Sequence, residues 1–105
     1  MVNVLNDVNG KELLSQSEYA IVDFFATWCG PCRSMAPVVE QLSEANGEKV
    51  TFFKCDVDAN PELSRAYGIQ SIPTLVFLNE GREVERMVGL VPQHEIQAAI
   101  DNLQK

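Results

Sequence analysis

A chain of 105 residues is long enough to bury a core as one domain, here expected to span 1–105, without obligatory disulfide or metal staples. The balance of 15 acidic against 8 basic side chains, a net charge of -7, argues against a nucleic-acid surface, whose affinity comes from neutralising phosphates. It disfavours an anionic membrane in the same way, and 3 cysteines are too few for a disulfide framework.

The first residues, Met1-Val2-Asn3-Val4-Leu5, carry no basic stretch followed by an apolar run, so no secretory signal is read there. No apolar run reaches the ~18 residues of a membrane span. A cytoplasmic protein, monomeric and held soluble by its charge, is the expectation.

Val2 to Leu5 is a short strand, expected at a sheet edge. Asp7 or Asn9 caps a helix through about Gln16, with Leu13 and Leu14 facing inward and Gly10 weakening its first turn. Residues 20–27 are apolar on both faces, which marks a central strand covered on both sides. Asp23 interrupts that run. Trp28-Cys29-Gly30-Pro31-Cys32 follows, then an amphipathic segment from Arg33 to about Ala45 whose Met35, Val38, Val39 and Leu42 recur at helical spacing. Pro37 predicts a kink or break inside it, and Asn46-Gly47 its end.

Val50 to Val57 reads as a second central strand, parallel to the first across the helical crossover. Pro61 opens a short helix with Leu63, Ala66 and Tyr67 inward, ended by Gly68. Leu75-Val76-Phe77-Leu78 and Glu83 to Val88, an alternating run, form a hairpin about Asn79-Glu80-Gly81-Arg82. Pro92 opens a last helix with Ile96, Ala99, Ile100 and Leu103 on one face. The order βαβαβαββα predicts an α/β fold with a mixed sheet, parallel first and antiparallel at the end, with helices on both faces.

A C-x-x-C at a strand-to-helix junction is a redox signal. Cys29 falls at the helix entry, where unpaired N–H groups and the positive helix end stabilise a thiolate, and Cys32 lies one turn inside. Pro31 fits an early helical position without wasting a donor. Sequence order does not say which thiol attacks; the helix-entry position favours Cys29 as nucleophile and Cys32 as resolver. A purely structural staple is the weaker alternative, because a four-residue loop constrains the unfolded chain little. Zinc needs about four ligands, and the only histidine is the distant His94.

Asp23 is either a solvated carboxylate near a sheet edge or a buried proton acceptor beneath Cys32, in which case desolvation raises its pKa. Lys54 on the next strand is its candidate partner, or a lysine snorkelling to the surface. Trp28 shields the dithiol and offers partner contact, or is an ordinary half-buried tryptophan. Cys55 reads as a core thiol.

The ordered set Val22-Asp23-Phe24, Trp28-Cys29-Gly30-Pro31-Cys32, Pro37, Lys54-Cys55-Asp56-Val57-Asp58, Tyr67-Gly68-Ile69, Ile72-Pro73-Thr74 and Val88-Gly89 resembles the thioredoxin family over nearly the whole chain. The resemblance implies a five-stranded thioredoxin fold with about four helices and a protein-disulfide reductase. It implies Cys29 as nucleophile, Cys32 as resolver, Asp23 as buried acid/base with Lys54 near it, and a cis bond before Pro73. Without it, a trans bond at Ile72-Pro73 is the default. The implied client surface comprises Trp28, Gly30, Pro31, Ile72, Pro73, Thr74, Gly89 and Leu90. No bound cofactor is implied beyond the redox-active Cys29–Cys32 pair; NADPH would act indirectly through a thioredoxin reductase, and the partners would be that reductase and diverse disulfide-containing clients. Arg33 stands where many members have lysine, Phe25 where many bacterial members have tryptophan, and Cys55 is extra relative to many. An oxidase or isomerase of the same fold, or a scaffold subunit that never turns over, are the alternative readings.

Overall fold

An apolar run flanked on both faces belongs in the middle of a sheet, and residues 19–25 lie there. The computed structural model describes residues 1–103. In chain order the elements are β1 (Val2–Val4), α1 (Gly10–Gln16), β2 (Tyr19–Phe25), α2 (Gly30–Asn46), β3 (Thr51–Asp56), α3 (Pro61–Ala66), β4 (Thr74–Asn79), β5 (Arg82–Val88) and α4 (Gln93–Leu103). The sheet order is β1-β3-β2-β4-β5. β3 pairs in parallel with both β1 and β2, whereas β4 runs antiparallel to β2 and β5 to β4. The element order, the mixed sheet and the edge placement of the first strand are as the sequence predicts.

Alternation along β2 divides the core. Val22 and Phe24 pack with Leu14, Phe53, Leu63 and Val76, the layer that holds α1 and α3. Ile21 packs with Met35, Leu42, Phe77, Ile96 and Ile100, the layer that holds α2 and α4. Full burial of a side chain such as Phe24 or Phe77 stabilises by about 2–3 kcal/mol. A core of many such groups, not the short disulfide loop, therefore holds the fold.

The structure corrects several local expectations. Pro37 does not break α2, which is continuous from Gly30 to Asn46. Pro37 lies on the exposed face, where the carbonyl that loses its donor can meet water. Ala66 is exposed rather than inward, and Leu63 and Tyr67, one turn apart, carry the inner face of α3. α4 starts at Gln93, with the Pro92 carbonyl accepting from the Glu95 and Ile96 amides. The Gly47 backbone is right-handed, so α2 ends there without a left-handed cap. The alternation expected from Glu83 to Val88 is broken by a bulge: Leu78 pairs with Glu83 and Phe77 with Glu85, leaving Val84 without a partner.

Asp7 caps α3 and not α1. Its carboxylate accepts from the Glu62 amide at 3.1 Å and the Leu63 amide at 2.8 Å, two donors that the helix leaves unpaired. Gly10 is explained by the same contact region, since a Cβ there would lie 2.6 Å from a Leu63 methyl. Asp7→Ala should lower stability in urea unfolding by about 1–2 kcal/mol, and Asp7→Asn, which keeps one good acceptor, by less.

Candidate functional site

β2 delivers the chain to the sheet's end, where Ala26 to Trp28 turn it into α2. The Cys29 amide donates to the Ala26 carbonyl at 3.2 Å, closing that turn. Cys29 is the residue before the first helical turn, with extended backbone (φ -87°, ψ 114°), and its sulfur accepts from the Cys32 amide at 3.2 Å. Gly30 and Pro31 form the first turn, where the missing Pro31 donor costs nothing. Cys29 and Cys32 are joined in a disulfide with their Cα atoms 5.2 Å apart. Both are almost fully buried, packed with Ala26, Phe25, Val57 and Ile72. A thiolate on Cys29 would be held by the same Cys32 amide and by the positive end of a 17-residue helix.

Asp23 is 5 % exposed, and its Oδ1 has no hydrogen-bond partner. Burial pushes its pKa up to about 6, against a smaller opposing pull from Lys54. Lys54 is its neighbour in the parallel ladder and is exposed. Among the described residues the two form no ion pair, so Lys54 acts through space with its ammonium in water. A cleft of about 310 Å³ is lined by Asp23, Phe25, Ala26, Thr27, Cys32, Arg33, Ala36 and Lys54. It puts the carboxyl and the Cys32 side of the disulfide on one space with room for water.

The opposite wall comes from the segment before β4. The Ile72–Pro73 peptide bond is cis, and the Ile72 carbonyl oxygen lies 4.0 Å from the Cys29 sulfur. The Gly89 amide donates to the Pro73 carbonyl at 2.8 Å, and Gly89 has φ +86°, a conformation that favours glycine. Around this wall Trp28 is 67 % and Leu90 60 % exposed, so Trp28 is a surface group and not a half-buried one. Gly30 and Pro31 are also exposed, and Ile72 is half-buried.

Thr74 does not join that surface. It is buried, pairs across β2 and β5 with Phe24 and Val88, and its hydroxyl donates to the Ser71 carbonyl. Its side chain holds the turn and is closed to a client.

Two contacts beside the pair go beyond what the sequence specifies. The Trp28 indole donates to Asp58 Oδ2 at 2.7 Å, and the Asp58 amide in turn donates to Asp56 Oδ1 at 2.9 Å. Arg33 donates to the Thr27 carbonyl at 3.0 Å, which pins a positive charge beside the disulfide. The sequence places Asp58 only within the family-like run Lys54 to Asp58, and nothing in it pairs that carboxylate with the Trp28 indole. Cys55 lies in the core, and burial, then Asp7 and Asp56, push its pKa up to about 12, which disfavours its thiolate at neutral pH. No group of His, Cys, Asp and Glu suited to a metal ion occurs among the described residues, and no helix among them is long and apolar enough to cross a membrane.

A model of the thioredoxin family matches residues 1–102. The chain is similar to the thioredoxin of Alicyclobacillus acidocaldarius, 44 % identical over 96 residues covering 91 % of each chain. It is also 41 % identical to the thioredoxin of Listeria monocytogenes over 101 residues, 96 % of this chain and 97 % of that one. Among solved structures, a mutant thioredoxin from Halobacterium salinarum superposes with a TM-score of 0.89 at 35 % identity, covering 99 % of this chain and 90 % of the other. Plasmodium falciparum thioredoxin does so with a TM-score of 0.88 at 32 % identity, covering 96 % and 98 %.

The buried Asp23 makes stability depend on pH. Its folded pKa, about 6, lies above the ordinary 3.8, so the folded chain holds this proton more tightly than the unfolded one. The contribution is therefore complete below pH 4 and is lost as pH rises to 6. The loss is about 3 kcal/mol above that. Asp23→Asn should unfold in urea like the parent near pH 3 and be more stable by about 3 kcal/mol at pH 8.

Proposed function

The chain belongs to the thioredoxin family, and on that premise we propose that it works as a protein-disulfide reductase, cycling between a Cys29/Cys32 dithiol and the disulfide seen in the structure. The observation that carries this reading is the disulfide's seat at the N-terminus of α2, with the Cys32 amide on the Cys29 sulfur.

Cys29 is the nucleophile. Its thiolate attacks one sulfur of a client disulfide, and the other client sulfur leaves as a thiolate that takes a proton from water. The mixed disulfide then loses its client. Cys32 gives its proton to Asp23 across the cleft and attacks the Cys29 sulfur, and the second client sulfur departs as a thiolate. The client has gained two electrons and the chain ends as Cys29–Cys32 disulfide. A carboxyl with pKa near neutrality suits this exchange, because it accepts the proton and can release it before the next cycle. Lys54 keeps that pKa from rising further.

Clients are diverse disulfide-containing proteins that lie on Trp28, Gly30, Pro31, Ile72, Gly89 and Leu90, a shallow and partly apolar surface; Pro73 is itself buried and contributes by turning the chain beneath it. The open side of Gly89, where an added Cβ would meet nothing within 4 Å, leaves room for a client backbone. Electrons return through a thioredoxin reductase supplied by NADPH, and the chain itself carries no nucleotide. The protein acts as a monomer in the cytoplasm, without nucleic acid or membrane.

Insulin-disulfide reduction with NADPH and a thioredoxin reductase tests turnover and electron source together. The parent should turn over and Cys29→Ser should not. Cys32→Ser should accumulate a mixed disulfide resolvable by dithiothreitol on a non-reducing gel. Asp23→Asn should slow resolution at pH 7 by roughly 100-fold or more. Absence of turnover by the parent, or a reduction potential well above the cytosolic poise, overturns the reading.

A further inference from the structure

The bulge in β5 has an effect on the face opposite to the disulfide cleft. In an unbroken strand, residues three apart point to opposite faces. Here Glu83 pairs with Leu78 and Arg86 with Val76, and Leu78 and Val76 both face the α1/α3 layer. The extra residue, Val84, thus brings Glu83 and Arg86 to one face. Their side chains meet as a fork, with Arg86 Nε 2.8 Å from Glu83 Oε2 and Arg86 Nη2 2.8 Å from Glu83 Oε1.

The held guanidinium points at the end of α3. Arg86 Nη2 donates to the Tyr67 carbonyl, and Nη1 lies 3.4 Å from the Gly68 carbonyl. These carbonyls stand where a helix ends and its acceptors lose their own donors. The Tyr67 ring packs on Phe24 in the core at 5.9 Å, so this chain end is gripped from inside by an aromatic contact and from outside by Arg86. From Gly68, which has φ +61°, five residues lead to Pro73. Those residues have no helix or strand structure, and their other end is tied by the Gly89 amide on the Pro73 carbonyl. β5 and the residue that follows it therefore fasten both ends of the segment that presents Ile72 to the Cys29 sulfur.

We propose that Glu83 and Arg86 are positioning residues for client binding: the bulge at Val84 aligns them, and they fix the 69–73 segment against which a client disulfide is laid. This inference rests on the reductase reading and deepens it. Neither residue touches the sulfurs. A protein client, which must lie along the segment, should feel their loss. A small aromatic disulfide, which needs only the Cys29 thiolate, should not.

The test is steady-state reduction of insulin and of 5,5′-dithiobis(2-nitrobenzoate) by the full chain, each driven by NADPH and thioredoxin reductase. Arg86→Met should raise the KM for insulin about fivefold or more, leave its kcat within about twofold, and leave the rate on the small disulfide within about twofold. Arg86→Lys, which can reach one carbonyl but cannot make the fork, should recover part of the KM. Glu83→Gln leaves the guanidinium in place but loosens its aim, so it should shift KM in the same direction by less; it serves if Arg86→Met fails to fold. An unchanged insulin KM in the variants that fold, or an equal loss on both substrates, overturns the proposal. Failure of the parent itself on insulin would instead refute the reductase reading.

Discussion

The amide of Cys32 directed at the sulfur of Cys29 is the contact on which the rest of the site depends. It exists because α2 begins immediately after Cys29, leaving its first N–H groups without partners inside the helix. One such donor would give an alkaline thiol a reason to ionise; a helix start gives several, aligned with the helix dipole. The Gly-Pro pair makes the arrangement compatible with a tight entry. The second sulfur follows one turn later, so the helix start that would hold a thiolate on Cys29 also sets Cys32 within disulfide reach of it, as the proposed attack and resolution require.

Burial then separates the roles of groups that look alike in composition. Asp23 and Asp58 are both carboxylates near the pair. The first is enclosed, orphaned and pushed up by burial to about 6, which suits it to carry a proton in the proposed mechanism; the second is exposed and holds an indole. Cys29 and Cys55 are both buried thiol positions. Only the first has a helix end beneath it, whereas ionisation of the second is opposed by burial first and then by two nearby carboxylates. Environment and not residue type assigns the chemistry.

Much of this was legible in the chain. The apolar run around Asp23, the C-x-x-C and the spacing of Met35, Val39 and Leu42 specify a central strand feeding a helix, because period and burial leave few other solutions. Three features were not. Asp7 caps a helix 55 residues away, a pairing that local cap rules assign to the nearest helix. Thr74, a polar residue beside a proline, reads as surface, yet its ladder partners on both sides enclose it. The cis bond at Ile72-Pro73 runs against the local preference and was expected only from resemblance. Each of these is decided by contacts between distant segments, which periodicity does not encode.

The sole tryptophan of the chain is the exposed Trp28, adjacent in sequence to Cys29 and bonded to Asp58. The protein's indole emission therefore comes entirely from the rim of the disulfide, with no contribution from the core. A neighbouring disulfide quenches indole fluorescence and a dithiol does so less, while a client lying over the ring replaces water with apolar surface. On the proposed reading, brightness should follow the oxidation state of the pair and colour the arrival of a client. Because Phe24 and Phe77 fill the core and Trp28 is the one tryptophan, no second indole adds a constant background to that emission.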